Sequence, residues 1–224
     1  MKRTPLAHRV LPDYTRGEEI CNMATHIVGG ALGILATVLC PIVAAKHHNV
    51  YGIVGGAIFG FSMIVLYAIS AVYHGLSPRL MGKKVMQVLD HCSIFFLIAG
   101  TYTPIVLGPI RSETPGWGWA LFGVVWALAA LGISLNAIDL KKFARFSMIC
   151  YLLMGWCIVM RLGQVIRLIG PSGFALLLSG GIAYTIGAAL YGLGKKHRYM
   201  HSVFHVFTVI GSLLHFLCIV LYVL

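Results

Sequence analysis

YGIVGGAIFGFSMIVLYAISAVYHGL (51–76) contains no Lys, Arg, Asp or Glu, and its first polar interruptions are single serines. About 20 apolar residues cross a bilayer as helix, and in lipid a helix satisfies its own backbone. Gly52, Gly56 and Gly60 recur every fourth residue, as do Gly29 and Gly33 upstream, which lets neighbouring helices approach closely. Outward from this stretch, comparable runs cover about 22–45, 86–107, 116–136, 144–164, 171–191 and 202–223. The expectation is an all-α, polytopic membrane protein: one seven-transmembrane helix bundle over 22–224, preceded by a tail over 1–21. Pro41, Pro104, Pro115 and Pro171 fall near expected helix ends, where a missing amide matters least. Trp117 and Trp119 open the fourth run, where an interfacial aromatic belt sits.

Composition agrees. Of 224 residues, 59% are hydrophobic and only 10% charged, too few to clothe a soluble domain of this size. The six cysteines (Cys21, Cys40, Cys92, Cys150, Cys157, Cys218) stand singly and form no CxxC pair, so neither a disulfide framework nor a thiolate metal site is implied. The formal charge of +11 does not point to nucleic acid, because cations flanking membrane helices hold them to anionic headgroups. The expected partners are membrane lipids, and the sequence leaves the oligomeric state open.

Orientation follows from where the cations fall. Lys2, Arg3, Arg9 and Arg16 precede the first run, and Arg79, Lys83 and Lys84 lie between the second and third. Lys141, Lys142 and Arg145 follow the fourth, and Lys195, Lys196 and Arg198 the sixth. The opposite side receives only Lys46, Arg111, Arg161 and Arg167. The positive-inside rule predicts a cytoplasmic N-terminus and, with seven spans, an outside C-terminus. No secretory signal is visible in the first residues, so a resident bacterial inner-membrane protein is expected.

The informative residues are polar groups inside the runs, which are costly in lipid and usually face the bundle interior. Asp90 lies about one turn into the third run; it is either a functional carboxylate or a partner of Lys83 or Lys84 at the membrane edge. His201 and His205 open the seventh run as HxxxH, on one helical face as two ligands of one metal require. His197 extends that spacing by a turn, and interfacial histidines can also simply snorkel. Ser70 and His74 close the second run as SxxxH; Ser70 is a backbone-satisfied serine, a hydrogen-bond donor beside a metal, or a nucleophile with His74 as base. With the expected directions, His74, Asp90, His201 and His205 all reach the cytoplasmic end. Three imidazoles and a carboxylate at one depth match a catalytic Zn2+ site, although such ligands also admit other divalent metals. Glu19, Asn22 and His26 share a stripe at the start of the first run, expected to support the site rather than ligate. His215 lies about 15 Å beyond His205 along the helix and is expected to be a packed or hydrogen-bonded core histidine.

The segments EEICNMATH (18–26), SAVYH (70–74), LDHCSIFFLIAGTYTP (89–104) and HSVFH (201–205) together resemble the hemolysin III branch of the progestin and adipoQ receptor family, the group that includes adiponectin receptors. The resemblance spans the chain from first helix to last. It implies a seven-helix fold with the N-terminus inside and a zinc ion near the cytoplasmic face. His74, His201 and His205 would be its ligands, Asp90 would hold the water on the metal, and Ser70 would stand beside it. In eukaryotic relatives this site is associated with hydrolysis of ceramide-type lipid amides; the short tail gives no basis for a hormone-receptor role. Three functions follow as expectations: a zinc-dependent hydrolase of membrane lipid amides or esters, a non-enzymatic sensor of membrane state with a structural metal, and the cytolysis that the family's name suggests. For the last, the sequence itself offers no secreted pore-former.

Overall fold

The computed structural model describes residues 4–193 and 197–224; Lys2, Arg3, Lys195 and Lys196 of the charge pattern lie outside them. Among the described residues there is no strand. The main helices are α1 (Arg16–Lys46), α2 (Val50–Gly75), α3 (Met81–Ile105), the single turn α4 (Arg111–Glu113), α5 (Pro115–Trp156), α6 (Leu162–Leu193) and α7 (Met200–Cys218). Among the described residues, five helical stretches are long and apolar enough to cross a membrane: Arg16–Lys46, Val50–Gly75, Met81–Glu113, Pro115–Gly192 and Met200–Val223.

The stretch Pro115–Gly192 holds three of the expected runs without a loop between them. At 1.5 Å per residue it would be far longer than the roughly 30 Å hydrocarbon core, and its backbone leaves helical geometry at two points. At Asp139 (φ −157°, ψ 96°) the carboxylate accepts the N–H groups of Thr4 and Lys142, which fixes the break. At Gly170 (φ 69°, ψ 170°) the backbone enters a region that favours glycine, and Pro171 follows without an N–H to give. The expected links at 137–143 and 165–170 therefore shrink to one-residue breaks, and a tight turn at Cys157–Arg161 falls inside the expected fifth run.

α1 begins at Arg16, several residues before its apolar run. Thr15 caps it: its hydroxyl accepts the Glu18 N–H, and the Glu18 carboxylate accepts the Thr15 N–H. The remaining tail is not a loose end. Thr4 binds Asp139, Arg9 donates to the Ile138 carbonyl, and Lys84 donates to the Ala7 carbonyl.

Burial along α1 is inverted relative to a soluble helix. Glu18, Asn22, His26, Gly29, Gly33, Ala36, Cys40 and Ala44 face inward, whereas Ile27, Val28, Ile34, Leu35 and Val38 stand exposed. An apolar outside and a small, polar inside suit lipid as the surrounding solvent. The inward glycines set helix spacing: a Cβ at Gly56 would sit 2.7 Å from the Cβ of Cys40, and one at Gly60 would strike the backbone of Thr37. α1 packs on α2, α2 on α3, α3 on α5, α6 on α7, and α7 back on α1. That arrangement brings the end of α2 and the start of α7 to the start of α1.

Candidate metal centre

His74, in the last turn of α2, and His201 and His205, in the first turns of α7, converge so that one ring nitrogen from each lies within 4.8 Å of the others. His74 and His205 are buried and His201 nearly so. The His201 and His205 Nε2 atoms stand 3.0 Å apart. Two imidazole lone pairs facing each other at that distance repel, so a shared proton or a shared cation must lie between them. Two nitrogens on one tetrahedral zinc, each at roughly 2.0–2.1 Å, would be about 3.3 Å apart, close to what is seen here.

The far nitrogens of two of the rings, His74 and His205, are held by partners that select the tautomer, whereas His201 Nδ1 is buried without a hydrogen-bond partner among the described residues. His74 Nδ1 lies 2.5 Å from Glu19 Oε2, so Nδ1 carries the proton and the buried, unpartnered Nε2 keeps its lone pair. His205 Nδ1 donates to the Asn22 carbonyl at 3.2 Å, again leaving Nε2 free to ligate. Glu19 is fixed in turn by Lys83, whose ammonium donates to Glu19 Oε1 (2.6 Å) and the Leu76 carbonyl (2.9 Å). The carboxylate–histidine unit is the common way of orienting a metal ligand. Asn22 Oδ1 also accepts the Ser202 hydroxyl at 2.6 Å, so one α1 residue touches both turns of α7 that carry the histidines. Glu18 reaches the same helix, accepting the Tyr199 N–H at 2.7 Å just before α7 begins.

His26 lies face to face with His205, ring centroids 3.6 Å apart, and edge-on to Tyr67. Neither of its nitrogens has a hydrogen-bond partner. Ser70 is fully buried with an unpartnered hydroxyl, so it is not the backbone-satisfied serine that was one expectation for it. Asp90 does not pair with Lys83 or Lys84: Lys83 is taken by Glu19 and Leu76, and Lys84 donates to Ala7. The Asp90 carboxylate is 3.9 Å from His91 Nδ1, and it lines a cavity together with His201. His215 stands apart, its Nε2 hydrogen-bonded to the Leu177 carbonyl. His197 is exposed and lies outside the three-histidine group.

Three contributors escaped the sequence reading. Ser202 is hidden inside the HxxxH motif, and Lys83 is 64 positions from the carboxylate it holds. Tyr14 comes from the tail and stacks on His201 with centroids 5.0 Å apart. Burial, with smaller contributions from Tyr191, Tyr73, Glu19 and Asp90, raises the Tyr14 hydroxyl above the ordinary phenol range, so it stays a neutral donor.

The cavity at Asp90 and His201 measures about 340 Å³ and runs among α3, α5, α6 and α7. Its walls are mainly apolar, including Ile94, Leu97, Ile98, Leu152, Trp156 and Phe204. Of the three clustered histidines only His201 lines it, and His215 lines it further along α7.

Comparison with known proteins gives a consistent family. Residues 14–216 match the family described as "Haemolysin-III related". The chain is 37% identical to "Hemolysin-3" of Bacillus cereus over 208 residues, 92% of each chain. It is also 37% identical to "Hemolysin-3 homolog" of Bacillus subtilis (strain 168) over 209 residues, 93% of this chain and 96% of the relative.

Proposed function

The chain belongs to the haemolysin-III related family and is a multi-pass membrane protein, and from that premise we propose that it is a zinc-dependent hydrolase of membrane lipid amides or esters. The observation that carries this reading is the buried set His74, His201 and His205, with the outer nitrogens of His74 and His205 already bonded away from the centre. The donor set fits the metal: three neutral imidazoles are a standard zinc shell that leaves a position open, and His74 and His205 are held in the tautomer ligation needs. His74, His201 and His205 would hold the ion. When bound, zinc supplies Lewis acidity toward a carbonyl oxygen and lowers the pKa of water toward neutrality.

The surrounding residues divide the remaining work. Asp90, which lines the apolar cavity together with His201, takes a proton from the attacking water and returns it to the leaving nitrogen or oxygen. Ser70, with no other partner, donates its hydroxyl hydrogen to the oxygen on which negative charge develops. The cavity holds the acyl chain, which enters sideways because it is already dissolved in the leaflet. Lys83, Glu19, Asn22 and Ser202 orient the histidines.

The topology follows from the same reading. With breaks at Asp139 and Gly170, Pro115–Gly192 crosses three times, giving seven crossings with the N-terminus and the histidine cluster at the cytoplasmic face and Leu224 outside. The alternative is a metal that only ties α2 to α7 while the protein senses membrane state.

Metal analysis of purified wild type, His74→Ala and His205→Ala tests the site, and fatty-acid release from N-acyl and O-acyl lipids tests turnover. Zinc bound by wild type alone, together with release, is the expected result. Zinc without release favours the structural metal, and no zinc in wild type overturns both. A C-terminal reporter active in the cytoplasm overturns the seven-crossing topology.

A further inference from the structure

Beneath the tail lies a second cavity, about 740 Å³, lined by Arg9, Asp13, Tyr14, Lys141, Arg198 and His201 among others. It meets the apolar cavity along His91, Leu140, Ala144, Tyr191 and His201. Arg9 is 7% exposed, and among the described residues its Nε and Nη1 have no hydrogen-bond partner, while Nη2 donates to the Ile138 carbonyl at 3.3 Å. A buried guanidinium with unused donors is costly unless an anion meets it.

Among the described residues no carboxylate hydrogen-bonds that guanidinium. Asp139 is near enough to feel Arg9, but its two oxygens accept the Thr4 and Lys142 N–H groups. Both Glu18 oxygens are occupied by Thr15 and Tyr199. Asp13 and Glu18 line the cavity against the cations Arg9, Lys141 and Arg198; Glu18 acts on Arg198, and the free donors of Arg9 stay unmatched. Guanidinium donors in a fixed fork match phosphate and carboxylate oxygens bidentately, and phosphate is the anion that membrane-lipid headgroups commonly carry.

We propose that this cavity binds the phosphate of a membrane lipid whose acyl chain occupies the adjoining apolar cavity. The substrate class would then be an anionic, phosphate-bearing lipid, a conclusion that rests on reading the histidine cluster as the catalytic centre. The head-group site does not depend on that reading. Phosphate lies on the tail side of His201 and the acyl chain on the other, which sets the bond to be cleaved between them. The tail thereby selects substrate as well as closing the cytoplasmic end.

The test uses full-length protein in neutral detergent and a matched pair of probes: 1-oleoyl-lysophosphatidic acid and 1-oleoylglycerol, which differ by the phosphate. Tryptophan fluorescence reads binding, since Trp156 lines the apolar cavity. The phosphate-bearing lipid should bind about tenfold tighter or more, and Arg9→Gln should bring the two within about threefold, with Arg9→Lys between. If Arg9→Gln does not fold, Arg198→Gln reads the same comparison. Equal affinities in wild type overturn the proposal. Inorganic phosphate binding as tightly as the lipid overturns the lipid occupant in favour of a soluble ion. In His205→Ala the preference should persist; its loss together with the metal would assign the phosphate to the metal and overturn the separate site. A persistent preference in a protein that binds no zinc leaves this inference standing while the hydrolase reading fails.

Discussion

Replacing Glu19 by Gln changes one oxygen to a nitrogen at the point where His74 and Lys83 meet. In the wild type Glu19 accepts from His74 Nδ1 at 2.5 Å and from Lys83 Nζ at 2.6 Å. A glutamine can still offer one oxygen, but not to both, and it carries no charge. Two losses follow. His74 loses the carboxylate that raises its basicity and fixes its Nε2, which costs roughly 10–100-fold in metal affinity, or about 1.4–2.7 kcal/mol. Lys83, whose side chain is 1% exposed, keeps the Leu76 carbonyl but loses its counter-charge. Stranding one member of a buried pair costs about 3–5 kcal/mol, and the 15% exposure of Glu19 places the loss toward the lower figure. The double variant Glu19→Gln/Lys83→Met removes the stranded charge, so it should recover stability without recovering metal affinity. Zinc competition against a chelator, alongside thermal unfolding in detergent, reads the two quantities separately. Zinc affinity within about twofold of wild type in Glu19→Gln would refute the orientation of His74 by this carboxylate.

Other substitutions address different parts of the molecule. Asp90→Asn should retain zinc and fold while fatty-acid release falls roughly 10²–10⁴-fold, measured by lipid product analysis; unchanged release would remove Asp90 from proton transfer. Gly60→Val should destabilise by about 1–3 kcal/mol in thermal unfolding because α2 would have to move away from the Thr37 backbone of α1, whereas Gly123→Ala, with open space around its Cβ, should stay within about 0.5 kcal/mol. Chelating the metal should lower the unfolding temperature of wild type, by the equivalent of about 2.7 kcal/mol if zinc was held at 100 times its Kd, and leave His205→Ala unmoved.

The parts of this site legible in the sequence were those fixed by helix period and direction. HxxxH places His201 and His205 on one face whatever else the chain does, and the opposite directions of α2 and α7 bring His74 to the same end. What stayed hidden depends on which helices touch. Lys83 is two turns from Asp90 on the same helix, and that nearness made Asp90 the natural partner to expect; the glycine-set closeness of α1 to α2 instead delivers Glu19 to it from 64 residues away. Periodicity likewise cannot say that a polar tail with two prolines turns back to lay Tyr14 on His201, because that path is held by isolated bonds from Thr4, Ala7 and Arg9 rather than by a repeating pattern.

The helix breaks carry the same lesson to the membrane crossings. Hydropathy finds apolar length, yet at Asp139 and Gly170 the chain changes geometry within a single residue, and in neither case is composition alone the cause. Gly170 is permitted its positive φ by lacking a side chain, but Asp139 is extended because two backbone amides converge on its carboxylate, one of them from the tail. The residue that bends α5 is therefore tied to the segment that roofs the histidine cluster. Arg9 donates to Ile138 next to that bend, so the roof, the bend and the basic cavity form one connected structure at the end of the bundle where His74, His201 and His205 meet.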